Sequence, residues 1–181
     1  GGLVTFAPGS TTATIDVTLN GDEVFEGDET FTVDLLTPSG ATLVPDSSSA
    51  TVTIGDDEIE PEIDITGFTI AEGNAVGAPI ATLTLQMSSA SQSVVSVNFD
   101  TANGTAVADG VLANGADDYD AITGGLVTFA PGSTTATLDV TLNGDGVFEG
   151  NETFDVNLST PLGASLANSS ATVTIIDDET Q

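Results

Sequence analysis

The stretch "GGLVTFAPGSTTATIDVTL", Gly1 to Leu19, returns as "GGLVTFAPGSTTATLDVTL" from Gly124 to Leu142 with one change, Ile15 against Leu138. The match runs on through "NGDEVFEGDETFTVDL" and "NGDGVFEGNETFDVNL", then through "SSATVTIGDDE" and "SSATVTIIDDE". A two-residue difference near Val44 to Ser47 shortens the offset from 123 to 121. Self-similarity at this period means repeated structural units, and it constrains the fold before any local reading does. The chain holds roughly one and a half copies of a unit near 120 residues. Residues 1–58 are the second half of a unit, 59–61 a short linker, and 62–181 a complete unit.

Within the complete unit apolar residues recur at every second position. The sets are Leu83, Leu85 and Met87; Val95, Val97 and Phe99; Leu138, Val140 and Leu142; Phe154, Val156 and Leu158; and Ala171, Val173 and Ile175. They alternate mostly with Thr, Ser, Asp or Asn, the pattern of half-buried strands, and no segment sustains a 3.6 period. Turn signals such as Ala130-Pro131-Gly132 separate them. The fold class is all-β, an antiparallel sandwich with about seven strands per unit. Asn-Gly at 20–21, 103–104, 114–115 and 143–144 marks tight turns. Phe6, Phe25, Phe31, Phe129, Phe148 and Phe154 recur in pairs and are expected in the core, with Tyr119 at a sheet edge.

Charge narrows the chemistry. There are 28 Asp and Glu and no Lys, Arg or His, so internal salt bridges are impossible. Every carboxylate is solvated, protonated or matched by something the chain does not encode. Positive mean hydropathy and a 39% hydrophobic fraction favour a folded chain over an acidic disordered one. Nucleic acid is a poor partner, because Lys and Arg displace the counterions that drive such binding. Anionic membrane surfaces are poor partners on the same ground, and no apolar run approaches the length of a membrane span or a signal peptide. The absence of Cys and His rules out thiolate and imidazole metal sites and Ser-His-Asp or Cys-His catalysis, leaving oxygen ligands alone. An enzyme built on paired carboxylates would lack cationic groups to stabilise a transition state, so no enzymatic activity is expected.

The segments "FTIAEGN", "VNFDTANGTA", "ADDYD", "LVTFAPGSTTATLDVTL", "NGDGVFEGNETFDVNLSTP" and "ATVTIIDDE", in that order, resemble a Calx-beta domain. This is the immunoglobulin-like sandwich of sodium/calcium exchangers, integrin beta-4 and many bacterial surface proteins. The resemblance covers residues 62–179, and residues 1–58 repeat its later half. It implies a Ca²⁺ site at one end of the sandwich. Its ligands would be Glu72, Asp118, Asp145, Glu149, Glu152, Asp177, Asp178 and Glu179, and in the half unit Asp22, Glu26, Glu29, Asp56, Asp57 and Glu58. The calcium-sensing members carry three consecutive aspartates where this chain reads Gly21-Asp22-Glu23 and Gly144-Asp145-Gly146, which implies fewer or weaker ions. Ca²⁺ suits such loops because it accepts six to eight oxygens with flexible geometry. The competing reading is that surface Asp and Glu only keep the protein soluble.

Near-identical consecutive copies suit a spacer, which needs many equal sites, better than a sensor, which needs one tuned site. The expected role is a calcium-binding structural repeat of a bacterial extracellular adhesin or matrix fibre. Its partners would be neighbouring repeats or other copies, through strand complementation or an end-to-end array. The alternative is a calcium-sensing regulatory domain. The acidic run Asp56-Asp57-Glu58 precedes the linker with Glu72 close behind, so a metal end is expected at the joint between units.

Overall fold

A computed structural model describes residues 1–73, 79–108 and 117–180. The first copy contributes strands β1 (Glu29–Asp34) and β2 (Ser49–Ile54). The second contributes β3 (Glu62–Ile65), β4 (Thr69–Ala71), β5 (Ile80–Met87), β6 (Val95–Asn103), β7 (Gly125–Phe129), β8 (Thr135–Thr141), β9 (Glu152–Leu162), β10 (Ser165–Leu166) and β11 (Ser170–Ile176). These nine form a sandwich of a four-stranded sheet, β10-β3-β5-β8, on a five-stranded sheet, β4-β11-β9-β6-β7. The period-two sets fall on β5, β6, β8, β9 and β11, with their apolar members buried between the layers. The count exceeds seven because two very short strands, β4 and β10, join β11 and β3 in parallel pairs. All other ladders are antiparallel.

With no basic residue to pair across strands, acidic side chains on the outer faces are met by hydroxyls. Thr82 stands opposite Asp139 in the β5–β8 ladder and donates to its Oδ1 at 2.6 Å. Thr172 stands opposite Asp155 and donates likewise at 2.6 Å. Each pair does for the sheet what an opposite-charge pair does elsewhere. Tyr119 is fully buried. Its hydroxyl donates to Asn103 Oδ1 at 2.6 Å, and its ring stacks on Phe154 with centroids 4.4 Å apart.

The two copies of one sequence reach different ends. In the second, Phe129, Leu138, Val140 and Leu142 are buried core residues. In the first, the equivalent Phe6 and Val17 are 58% and 50% exposed, and Ile15 and Leu19 are as open. No strand forms over residues 1–19. The ladders give the reason: β7 pairs with β6 and β8 with β5, and the first copy has no counterpart of either. The β1–β2 hairpin survives because both its strands lie within residues 1–58. Its register, with Phe31 opposite Val52, repeats that of Phe154 opposite Val173 in β9–β11.

The expected aromatic core therefore needs correction. Phe129 and Phe154 are buried, but Phe6 and Phe148 are exposed, and Phe25 and Phe31 are only half-buried. Phe6 lacks the covering strands, and Phe148 lies in a loop beyond the sheets. The Asn114-Gly115 turn lies outside the described residues.

Phe154→Ala should cost about 3–5 kcal/mol, as large aromatic truncations in packed cores do. Phe31→Ala, at the matching position of the first copy, should cost a small fraction of that. Urea denaturation of the two variants checks the difference.

Candidate metal centre

At one end of the sandwich four chain segments bring carboxylates together. Parallel pairing of β4 with β11 runs the two strands in register to Ala71 opposite Ile176, and the Glu72 N–H continues the pairing to the Ile176 carbonyl at 2.8 Å. Glu72 thereby meets the terminal acidic run. Asp118 is placed by its Oδ2, which accepts from the Val107 N–H at 2.6 Å, and by its own N–H to the Val107 carbonyl at 2.8 Å. The loop between β8 and β9 supplies Asp145 and Glu149, and β9 opens with Glu152.

The loop has an internal frame made of backbone donors. Asp177 Oδ2 accepts from Glu149 N–H at 2.7 Å and from Gly150 N–H, while its Oδ1 accepts from Glu179 N–H at 2.9 Å. Gly150 takes φ 91°, which a residue with a Cβ rarely adopts. Gly144 approaches so closely that an added Cβ would stand 1.9 Å from the Gly73 carbonyl oxygen. The same frame recurs in the first copy, where Asp56 accepts from Glu26 N–H at 2.7 Å, from Gly27 N–H, and from Glu58 N–H at 2.9 Å. Asp22 and Asp145 each accept from the N–H two residues on.

Three overlapping triads have oxygens within 4.8 Å of one another: Glu72, Asp177 and Glu179; Glu72, Asp145 and Glu149; and Asp118, Glu149 and Glu152. Seven of the eight residues singled out in the complete unit are thus gathered. The eighth, Asp178, accepts from the Gly73 N–H at 3.2 Å through Oδ1 and tethers the Glu72 segment. Glu72 and Asp118 are only 4% and 6% exposed. Glu179 Oε2 is buried with no hydrogen-bond partner. A buried carboxylate oxygen without a donor, in a chain without cations, is open to a proton or to a hard divalent cation such as Ca²⁺.

The half unit differs. Among the described residues its carboxylates form no such triad, because the counterparts of Glu72 and Asp118 come from the half it lacks. Asp22, Glu26, Glu29 and Asp56 nevertheless crowd enough to raise Glu26, through desolvation first and then mutual repulsion. Glu58 is raised by its side-chain hydrogen bond with Asp56, and Asp57 adds repulsion. Glu72, although near Asp56-Asp57-Glu58 in sequence, belongs to the far end of the second unit and not to the joint.

The sequence reading missed the hydrogen-bonded frame of the loop. Gly27 and Gly150 were visible only as the repeated "FEG", and Asn151, whose Oδ1 accepts from Asp177 N–H at 3.3 Å, carried no signal.

Electrostatics match the geometry. Glu72 is pushed up to about 7, by desolvation first and by repulsion from Glu149, Glu179 and Asp145, against the Asp145 N–H that its Oε1 accepts at 3.3 Å. Glu152 is likewise pushed up to about 7, by desolvation and then by its hydrogen bond and repulsion with Asp118. Asp177 is held below the ordinary range by the Gly150 N–H first, with the other N–H donors adding and burial opposing.

A family model described as Calx-beta domain matches residues 1–58 and 68–179. The mouse protein "Extracellular matrix organizing protein FRAS1" is 32% identical over 162 residues, 87% of this chain but 4% of that protein. Among solved structures, the apo-form Calx CBD1 domain matches with TM-score 0.56 and 25% identity over 66% of this chain and 99% of its own. The calcium binding domain CBD12 of CALX1.1 matches with TM-score 0.53 and 25% identity, over 66% of this chain and 46% of its own.

Glu72 and Glu152 keep their protons in the folded chain at pH values where unfolded carboxyls, near 4.5, have lost them. The folded state then binds more protons between about pH 4.5 and 7, so its stability falls as pH rises through that window. In chelator, the melting temperature should drop from pH 5 to pH 8. Glu72→Gln combined with Glu152→Gln should flatten that profile.

Proposed function

Because the chain belongs to the Calx-beta domain family, matched over most of its length, we propose that it is a calcium-binding structural repeat of an extracellular filament, matrix or adhesin protein. Ca²⁺ rigidifies the units and their joints. The observation that carries the reading is the set of three interlocked carboxylate triads, one of which includes Glu179, whose Oε2 has no hydrogen-bond partner. Glu72 and Glu149 each belong to two triads, so they would bridge neighbouring cation positions. The cation would supply the positive charge the chain lacks and tie the Glu72 segment, the β8–β9 loop and the terminal run together.

The tandem organisation supports the structural role, and the relative described as a matrix-organising protein supports the extracellular setting. In an array, strands with the pattern of residues 62–103 would cover Phe6, Ile15, Val17 and Leu19, as β5 and β6 flank the equivalent strands of the second unit. Such cover comes either from the same longer chain or from a neighbouring copy by strand addition. The module binds and does not catalyse.

A calcium-sensing regulatory role is the second reading, favoured by the likeness to the Calx calcium binding domains. Affinity separates the two. Extracellular modules bind at about 10⁻⁴–10⁻³ M and sensors at about 10⁻⁷–10⁻⁵ M.

Excess Ca²⁺ should raise the melting temperature of the second unit, by an amount equivalent to about 2.7 kcal/mol per site at 100 times the dissociation constant. Glu149→Gln should weaken binding in calorimetric titration about tenfold or more, a loss of ~1.4 kcal/mol. Glu62→Gln, an exposed position at the start of β3 away from the triads, should leave binding unchanged. A melt identical in calcium and chelator would sink the metal reading.

A further inference from the structure

The acidic loop of the first copy does more than hold carboxylates: it touches the second unit. Phe25 forms a parallel bridge with Ser91, in the turn of residues 88–93 between β5 and β6. The Gln92 side-chain amide donates to Asp22 Oδ2 at 2.7 Å, and Ser91 Oγ donates to the Phe25 carbonyl at 3.5 Å. Ser91 is itself buried, and its carbonyl accepts from the Gly132 N–H at 2.8 Å. The turn is therefore a fixed platform, not a free loop tip.

The turn also lies where the chain arrives in the unit. Glu62 and Ser88 exchange two hydrogen bonds, Glu62 N–H to Ser88 Oγ at 2.9 Å and Ser88 N–H to the Glu62 carbonyl at 3.0 Å. Asp57 and Glu62 are five residues apart, a reach of at most about 18 Å. One unit's carboxylate end is thereby kept beside the leading end of the next.

The two copies of the loop differ in the burial of their apolar pair. Val24 and Phe25 are half-buried, whereas the equivalent Val147 and Phe148 are 59% and 45% exposed. The frame around them is the same, with Val24 N–H on Asp22 Oδ1 at 2.9 Å and Val147 N–H on Asp145 Oδ1 at 2.6 Å. The difference in burial thus follows the neighbour and not the loop.

We propose that the joint between consecutive units is a docking contact in which Val24 and Phe25 seat on the β5–β6 turn of the following unit, with Gln92 holding Asp22. By the same contact, Val147 and Phe148 are the docking face for the β5–β6 turn of a further unit of this kind. The proposal rests on the tandem-array reading, and it needs no metal to form. Because Gln92 grips the residue equivalent to Asp145, the joint touches the carboxylate loop directly.

The chain has no cysteine, so spin labels can be placed freely. In the 181-residue chain, Glu23→Cys and Ser93→Cys labelled with nitroxides should give one narrow distance distribution by pulsed EPR in chelator. Phe25→Ala with Gln92→Glu, which sets a carboxylate against Asp22, should abolish the narrow peak. In a chain extended after Glu179 by a second copy of residues 59–181, labels at Gly146→Cys and at the added copy's Ser93 position should reproduce the same narrow distance. Phe148→Ala should remove it. A broad distribution in either parent, or one unmoved by its variant, would overturn the corresponding contact. Loss of calcium binding with both narrow peaks intact would count against the metal reading alone.

Discussion

Every ionised side chain in this protein carries the same sign, so each carboxylate must find a neutral donor, a proton or a foreign cation. On the sheets hydroxyls suffice, as the Thr82–Asp139 and Thr172–Asp155 pairs show. At the end of the sandwich backbone N–H groups take over, and Asp177 collects three of them. Such donors favour the charged form and hold Asp177 ionised. The supply runs out one layer further in. Glu72 has a single long N–H donor, from Asp145 at 3.3 Å, Glu152 shares a hydrogen bond with another carboxyl, Asp118, and Glu179 Oε2 has no partner. The site is the place where the chain's own donors are exhausted.

The repeat separates what a sequence does locally from what it does only in company. The Asp56 and Asp177 frames are nearly superimposable in their bonding, although one sits in half a unit. That frame is local: a positive-φ glycine and a carboxylate about 30 residues away across a hairpin. Strands β7 and β8 are not local. Their copies at residues 1–19 have the same alternation and the same turn, yet remain without partners. Burial and pairing, more than propensity, decide the strand.

This division also explains how far the sequence could be read. The alternation at Leu83 to Met87 or Phe154 to Leu158 is set by a buried sheet face and shows in composition. The short parallel strands β4 and β10 are set by distant partners, and two or three residues leave no period to detect. The carboxylates were legible because they are clustered and the family resemblance orders them. The closeness of Glu72 to Asp177 and Glu179 was not legible from spacing alone, since it arises from the β4–β11 register. Phe148 was misread as core because its twin spacing with Phe154 looks the same whether a loop or a strand carries it.

The unit is also polar along its length, with the chain arriving beside the β5–β6 turn and leaving through the carboxylate end. A contact between these two ends joins unlike surfaces. Such heterologous contacts close into rings only if the rotation per step returns to the start, and otherwise extend without limit. Between tandem units the covalent linker enforces this order, so a joint repeated from unit to unit would give a linear series. The net charge acts in the same direction: side-by-side packing of bodies this acidic is repelled over a screening length of about 8 Å at physiological salt. End-to-end contact through Val-Phe and a neutral Ser-Gln turn sets the carboxylate of Asp22 against an amide donor, Gln92, and not against another carboxylate.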